Sequence, residues 1–194
     1  LDERGLMGLP ISLFATLAHY RSTRTLASVA ATLELDADAA RYRERAAAIR
    51  EAFNDRFFDA DAATYGPGSQ AALVGALHAG VVPADREADV AATLAGAVRE
   101  RGHLTTGFQG VRPLLYALAE NGYADLALEL VVGPERPSWG YMIEQGATTL
   151  WEAWDVEDNL ELEPGEGLGD VVSVNHSSFT VVSEGFYEAL AGLR

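Results

Sequence analysis

Glycines at positions 80, 102, 122 and 133 each close a stretch rich in Ala and Leu. That punctuation restricts the chain to helices of ordinary length joined by turns, because glycine accepts the left-handed conformation that stops a helix. Ser69 stands where it can cap the helix ending near Gly80, and Asp85 the one ending near Gly102. Upstream, Leu9 to about Leu33 has helix-compatible spacing. A break follows at Leu35–Asp36, where Asp36 or Asp38 can accept from the free N–H groups of the next helix. In that helix Tyr42, Ala46, Ile49, Phe53 and Phe57 share one face, while Arg41, Glu44 and Arg45 stay wet. The last helix carries Phe179, Val182, Phe186 and Leu190 on one stripe. Strand pattern is limited to short extended pieces, so the expected class is all-α. At 194 residues one compact unit is the default expectation.

Helix pairs of this kind build either solenoids or closed α/α toroids. No repeat at the period of the common helical solenoids is present. In a toroid the chemistry sits in the loops at one end, and three segments are too rich in aromatic, Gly and Thr residues to be simple connectors. They are Gly102–Gly110, Pro134–Gly146 and Ala147–Asp170.

Charge narrows the partners. The net charge is −15, and all fourteen basic residues are arginine. Such a chain repels phosphate backbones and anionic lipid heads, so neither nucleic acid nor membrane is an expected partner, and a neutral sugar suits it better. The longest apolar run, near Ala71 to Val82, is too short to span a bilayer. No signal peptide is visible and the chain begins at Leu1, which leaves its compartment open between cytoplasm and exterior. Cysteine is absent, and His19, His78 and His103 lack zinc spacing, so neither a metal site nor a cofactor is expected. The segment 155–170 holds seven carboxylates and no base but lacks the order of a calcium loop, and reads as a solvated acidic loop.

Pro134 to Asp155 reads PERPSWGYMIEQGATTLWEAWD. If Thr148–Trp154 is extended, Leu150, Glu152 and Trp154 point one way and Thr149, Trp151 and Ala153 the other. A carbohydrate site needs that combination: a flat indole for the C–H face of a sugar, and a carboxylate to take a proton. The pattern alone fits equally an ordinary surface acid beside core or rim aromatics. Glu144 is a second carboxylate within this stretch. His176 can hydrogen-bond a sugar hydroxyl, although a lone His is more often structural. Thr105 and Thr106 are expected to shape their loop through side-chain to backbone bonds.

The runs GHLTTG (Gly102–Gly107), PSWGYMIEQGATTLWEAWD (Pro137–Asp155) and SVNH (Ser173–His176), in this order, resemble the second half of glycoside hydrolase family 78, the α-L-rhamnosidases. So do AFNDRFFD (Ala52–Asp59) followed by TYG, and the closing FYEALAGL (Phe186–Leu193). The resemblance implies an (α/α)6 barrel that hydrolyses terminal α-L-rhamnosyl bonds with inversion, its acid and base roughly 6.5–9.5 Å apart. It places the general base on Glu152 and a sugar-binding histidine on His176, beside Asn175. Trp154, Trp151, Trp139 and Glu144 complete the candidate substrate-binding set. Ala153 and Ser177–Thr180 depart from the family pattern.

The family's general acid lies in an earlier motif that this chain does not repeat, since Asp2-Glu3-Arg4 lacks the motif's Gly-Trp ending and reads as chance. Twelve helices complete such a ring and the pattern supplies about seven. The expectation is therefore an incomplete toroid: the C-terminal portion, residues 1–194, of a six-hairpin catalytic domain, paired with a missing segment or another chain. A non-catalytic carbohydrate-binding or scaffold domain derived from such a barrel is the alternative, and a helical interaction module a third reading.

Overall fold

The computed structural model of the chain describes residues 10–154 and 173–193. They fall into two compact units that divide between Thr93 and Leu94. Length alone gave no sign of this division. The stretches outside the described residues take in Asp2-Glu3-Arg4 and the acidic segment 155–170. The all-α expectation holds: eight α-helices occur among the described residues, and the strands described are two residues long.

The first unit opens with α1 (Ile11–Thr32), which buries Leu13, Leu17, Tyr20, Thr23, Ala27 and Ala30. Steps of three and four keep these on one face, packed on α2 (Asp36–Phe57). The turn between them is a Schellman motif, in which Leu35 N–H bonds Ala30 O at 2.9 Å and Glu34 N–H bonds Ala31 O at 3.1 Å. Glu34, with φ 58°, stands where glycine is usual. The expected aspartate caps do not form. Leu35 is the capping residue and makes no side-chain bond, while Asp36 and Asp38 lie inside the first turn. There they face the positive end of the helix dipole, and Asp38 pairs with Arg41 at 2.9 Å. The five-residue face of α2 is as expected: Ala46 and Phe53 are buried, Tyr42, Ile49 and Phe57 half-buried.

Phe58–Asp59 (β1) and Thr64–Tyr65 (β2) form an antiparallel hairpin that folds Tyr65 onto Phe53 and Phe58, with centroids 5.5 and 4.9 Å apart. The Tyr65 hydroxyl donates to Asn54 Oδ1 at 2.6 Å, and Asn54 Nδ2 donates to Val81 O at 2.8 Å. Burial pushes the Tyr65 phenol well up. Asn54 and Tyr65 thus connect the AFNDRFFD and TYG runs. Ser69 caps α3 (Gln70–Ala79) by accepting from Ala72 N–H, and Gly80 ends it at φ 70°. Asp85 does not cap α4 (Glu87–Arg101), because it sits within a 3₁₀ turn, Ala84–Arg86, that precedes the helix.

The second unit comprises the end of α4, α5 (Phe108–Glu120), α6 (Ala124–Val132), α7 (Trp139–Glu144), a 3₁₀ turn at Ser177–Phe179, and α8 (Val181–Glu184). Gly102 and Gly122 adopt the left-handed conformation, as expected. Gly133 does not. With φ −54° and ψ 141° it leaves α6 in an extended conformation. The last helix is also not continuous, since α8 passes into a π-helical turn, Gly185–Leu190. A wider turn breaks the i, i+4 stripe. Phe179 and Val182 are buried, whereas Phe186 is 40% exposed. Among the described residues no helix is long and apolar enough to cross a membrane.

The left-handed Glu34 predicts a measurable strain. Glu34→Gly is expected to raise stability by on the order of 1 kcal/mol, read as a higher denaturation midpoint. An unchanged or lower midpoint would contradict the strain.

Candidate active site

The site is built on the second unit, from three stretches of sequence. The first is the approach to α7. Ser138 Oγ accepts from Tyr141 N–H at 2.9 Å and donates to Gly133 O, which fixes the helix start against the end of α6. A Cβ on Gly140 would run into the carbonyls of Val132 and Gly133, so only glycine permits this approach. Part of what reads as loop from Pro134 to Gly146 is therefore a short helix, and its first residue, Trp139, is carried into the core at 4% exposure.

The second and third stretches pair with each other. His176 N–H donates to Leu150 O at 2.8 Å and Glu152 N–H to Ser173 O at 2.9 Å. Thr149 Oγ1 adds a bond to Val174 O. Residues 149–152 thus run antiparallel to 173–176. The backbone N–H of Ser173 returns a bond to Glu152 Oε2 at 2.8 Å. Glu152 is held by a reciprocal pair with one residue, and among the described residues its second carboxylate oxygen has no hydrogen bond. Ser173 is fixed in turn by an exchange between its Oγ and the N–H and carbonyl of Asn175.

The extended run expected over Thr148–Trp154 is not continuous, since the chain already bends at Thr148–Thr149, and Thr149 is exposed where Trp151 is buried. Glu152 is half-buried, and the chain then bends again and turns at Trp154. The Trp154 indole stacks on Phe179 at 3.8 Å between centroids and meets the edge of Trp139 at 5.1 Å. Its Nε1–H points to Thr106 O at 3.4 Å, while Trp139 Nε1–H donates to Phe179 O at 3.0 Å.

Of the residues singled out by sequence, Trp139 and Trp154 are brought into contact, and Glu152 and His176 lie on paired segments. Trp151 and Trp139 are buried, at 7% and 4% exposure, and present no open ring face. His176 is exposed. Glu144 is also exposed, at the last position of α7. Thr106 serves the site through its carbonyl. Its Oγ1 is buried without a hydrogen-bond partner, contrary to the expected side-chain to backbone bond.

Phe179 and Ser173 carry roles that sequence reasoning missed. So do Arg112, Tyr116, Glu184 and Glu188. Arg112 Nε and Nη2 donate to Glu184 Oε2 and Oε1 at 2.6 and 2.7 Å, and the Tyr116 hydroxyl donates to Glu188 Oε2 at 2.7 Å. The signal was present as two pairs at i, i+4, but their partnership spans 72 residues. The bidentate bond to Arg112 holds the Glu184 carboxyl below its ordinary range, and Arg112 is raised by the same bond. Tyr116 is pushed up to about 12 by burial and then by its bond to Glu188. No group of three His, Cys, Asp or Glu suited to a metal ion occurs among the described residues.

Residues 8–190 match the family described as the bacterial alpha-L-rhamnosidase 6 hairpin glycosidase domain, which sets the fold class as that of the six-hairpin glycosidases. The chain belongs to this α-L-rhamnosidase domain family. It is 34% identical over 185 residues to an α-L-rhamnosidase of Streptomyces avermitilis, covering 95% of this chain and 17% of that protein. It is likewise 34% identical over 186 residues to one of Alteromonas sp. (94% and 20%). Among solved structures, the Streptomyces avermitilis α-L-rhamnosidase complexed with L-rhamnose superposes with a TM-score of 0.82 at 32% identity, covering 95% of this chain and 18% of the other. The α-L-rhamnosidase of Aspergillus terreus gives 0.78 at 26% identity (87% and 19%). The chain spans about a fifth of the length of these relatives.

Two outcomes follow from this geometry. Trp139→Phe keeps an aromatic ring but removes part of the buried indole and with it the donor to Phe179 O, leaving a buried carbonyl unpaired. The expected cost is roughly 1–3 kcal/mol in denaturant unfolding, and a loss near zero would mean that the carbonyl finds another partner. The second concerns pH. Glu184 is depressed in the folded state, so its pair with Arg112 stabilises fully above the free carboxyl's ordinary range and is lost as pH falls through the lowered value. The stability difference between the wild type and Glu184→Gln should be largest near neutral pH and shrink on acidification. A difference that grows in acid has the wrong sign.

Proposed function

We propose that this chain is the C-terminal portion of the six-hairpin catalytic domain of an inverting α-L-rhamnosidase, with Glu152 as general base. The observation that carries the reading is the anchoring of Glu152. One carboxylate oxygen is tied to a backbone N–H on a paired segment, and the other has no hydrogen bond among the described residues. A base that must meet a water at a set angle needs that combination of fixity and one open lone pair. Glu152 takes a proton from water as the water oxygen attacks the anomeric carbon on the face opposite the leaving group. The glycosidic oxygen leaves with a proton from a general acid, and the configuration inverts. That acid is supplied by a part of the longer enzyme.

Trp154 is the sugar platform. Half-buried and backed by Phe179, it suits the C–H and methyl surface of a 6-deoxy sugar. The exposed His176, set by its backbone bond to Leu150, reaches a sugar hydroxyl. Trp139 supports the platform edge-on from within the core, and Trp151 is buried near it in sequence. Glu144, exposed at the last position of α7, stays a secondary candidate for the sugar site. The ligand printed for the Streptomyces avermitilis structure, L-rhamnose, supports the substrate class.

The test is hydrolysis of a chromogenic α-L-rhamnoside by the longer enzyme and its Glu152→Gln variant, with the first-formed sugar followed by proton NMR. The expected result is a fall in kcat of roughly 10²–10⁴-fold and β-L-rhamnose as first product. Retained activity, or the α-anomer appearing first, overturns the assignment. Rhamnose binding without turnover by the wild type would instead favour a non-catalytic carbohydrate-binding domain.

A further inference from the structure

Trp154 is held by two partners on different elements. Its indole N–H reaches Thr106 O, just before α5, and its ring lies on Phe179, just before α8. The angle of the indole therefore depends on how α5 and α8 are set against each other. Arg112 and Tyr116 stand one turn apart on α5. Glu184 ends α8 and Glu188 lies one turn on, in the π-helical turn. Arg112 grips Glu184 with two parallel bonds and Tyr116 donates to Glu188, which makes a clamp of two rungs. Between the rungs Gly185 is buried, and a Cβ there would sit 3.0 Å from Leu115 Cδ1 of α5. The helices are thus in close contact at the point where the clamp closes.

We propose that Arg112 and Tyr116 are positioning residues, which with Glu184 and Glu188 lock α8 to α5 and thereby set the Trp154 indole between Thr106 and Phe179. The circuit is closed: α5 to Glu184, α8 back to Phe179, Phe179 to Trp154, and Trp154 to Thr106 at the start of α5. Arginine suits the first rung because its planar fork fixes orientation as well as distance, which a lysine ammonium does not. The Glu184 carboxyl, held below its ordinary range by the bond to Arg112, keeps this rung ionised further into acid than a free carboxyl would be. The functional meaning of the clamp rests on the reading of Trp154 as the sugar platform. Its geometric effect does not.

The chain's three tryptophans all lie at this site, at 139, 151 and 154, so their emission reports on it without interference. Arg112→Ala should raise acrylamide quenching of that emission severalfold and weaken the near-ultraviolet dichroism, with far-ultraviolet helicity unchanged. Arg112→Lys, which keeps the charge but not the fork, should recover only part of the signal. The exchanged pair Arg112→Glu with Glu184→Arg should recover more than either change alone. Wild-type quenching in a helical Arg112→Ala protein overturns the proposal. Should that variant fail to fold, Tyr116→Phe applies the same criterion to the second rung, with a smaller rise expected and no rise counting against the clamp. In the longer enzyme Arg112→Ala should raise KM for the rhamnoside more than it lowers kcat, since a platform grips ground and transition states alike. If quenching responds while Trp154→Ala leaves rhamnoside KM unchanged, the clamp stands and the sugar-platform reading falls.

Discussion

The stacking of Trp154 on Phe179 joins parts of the second unit that have no local reason to meet. Phe179 lies 25 residues beyond Trp154 in sequence, yet their rings are 3.8 Å apart and 26° from parallel. Trp139 closes the group edge-on and bonds the Phe179 carbonyl through its own indole. Three rings packed this way bury a large apolar area and favour the offset and edge contacts that aromatic quadrupoles prefer. Glu152 and His176 lie on backbone segments paired with each other by hydrogen bonds and leading into Trp154 and Phe179. Much of the site's precision comes from main-chain bonds, which leave few side chains through which sequence could announce it.

Arginine is used throughout in a manner lysine could not match. In a chain of net charge −15, six of the fourteen arginines lie over a tyrosine or phenylalanine ring. Most of these rings are neighbours in sequence, as with Arg41 and Tyr42 or Arg56 and Phe57. A planar, weakly hydrated guanidinium can lie against a ring and still spare N–H groups for other acceptors. Arg24 does both, resting over Tyr20 while donating to Ala79 O at the end of α3. Arg112 lies over Tyr116 and binds Glu184 in the same way. These cations orient local structure.

The helical class and most helix ends were legible in the sequence. Apolar spacing is a one-dimensional record of a helix's buried face, and Ser69 with Gly80 marks a helix start and stop through local backbone chemistry. It was less informative where the backbone departed from the commonest solution. Glu34 takes a left-handed position without glycine, Gly133 leaves its helix extended, and the π-turn after Gly185 turns Phe186 outward. Each outcome is set by what packs alongside, which no local propensity encodes. In the site, composition could place a carboxylate and an indole on one loop but could not distinguish an open ring from a buried one. Only the tertiary structure sent Trp139 and Trp151 inward, left Trp154 half-open against Phe179, and tied Arg112 to Glu184 across 72 residues. Contacts at that separation depend on the closing of the whole unit, and a chain read in order carries no trace of which distant pairs will meet.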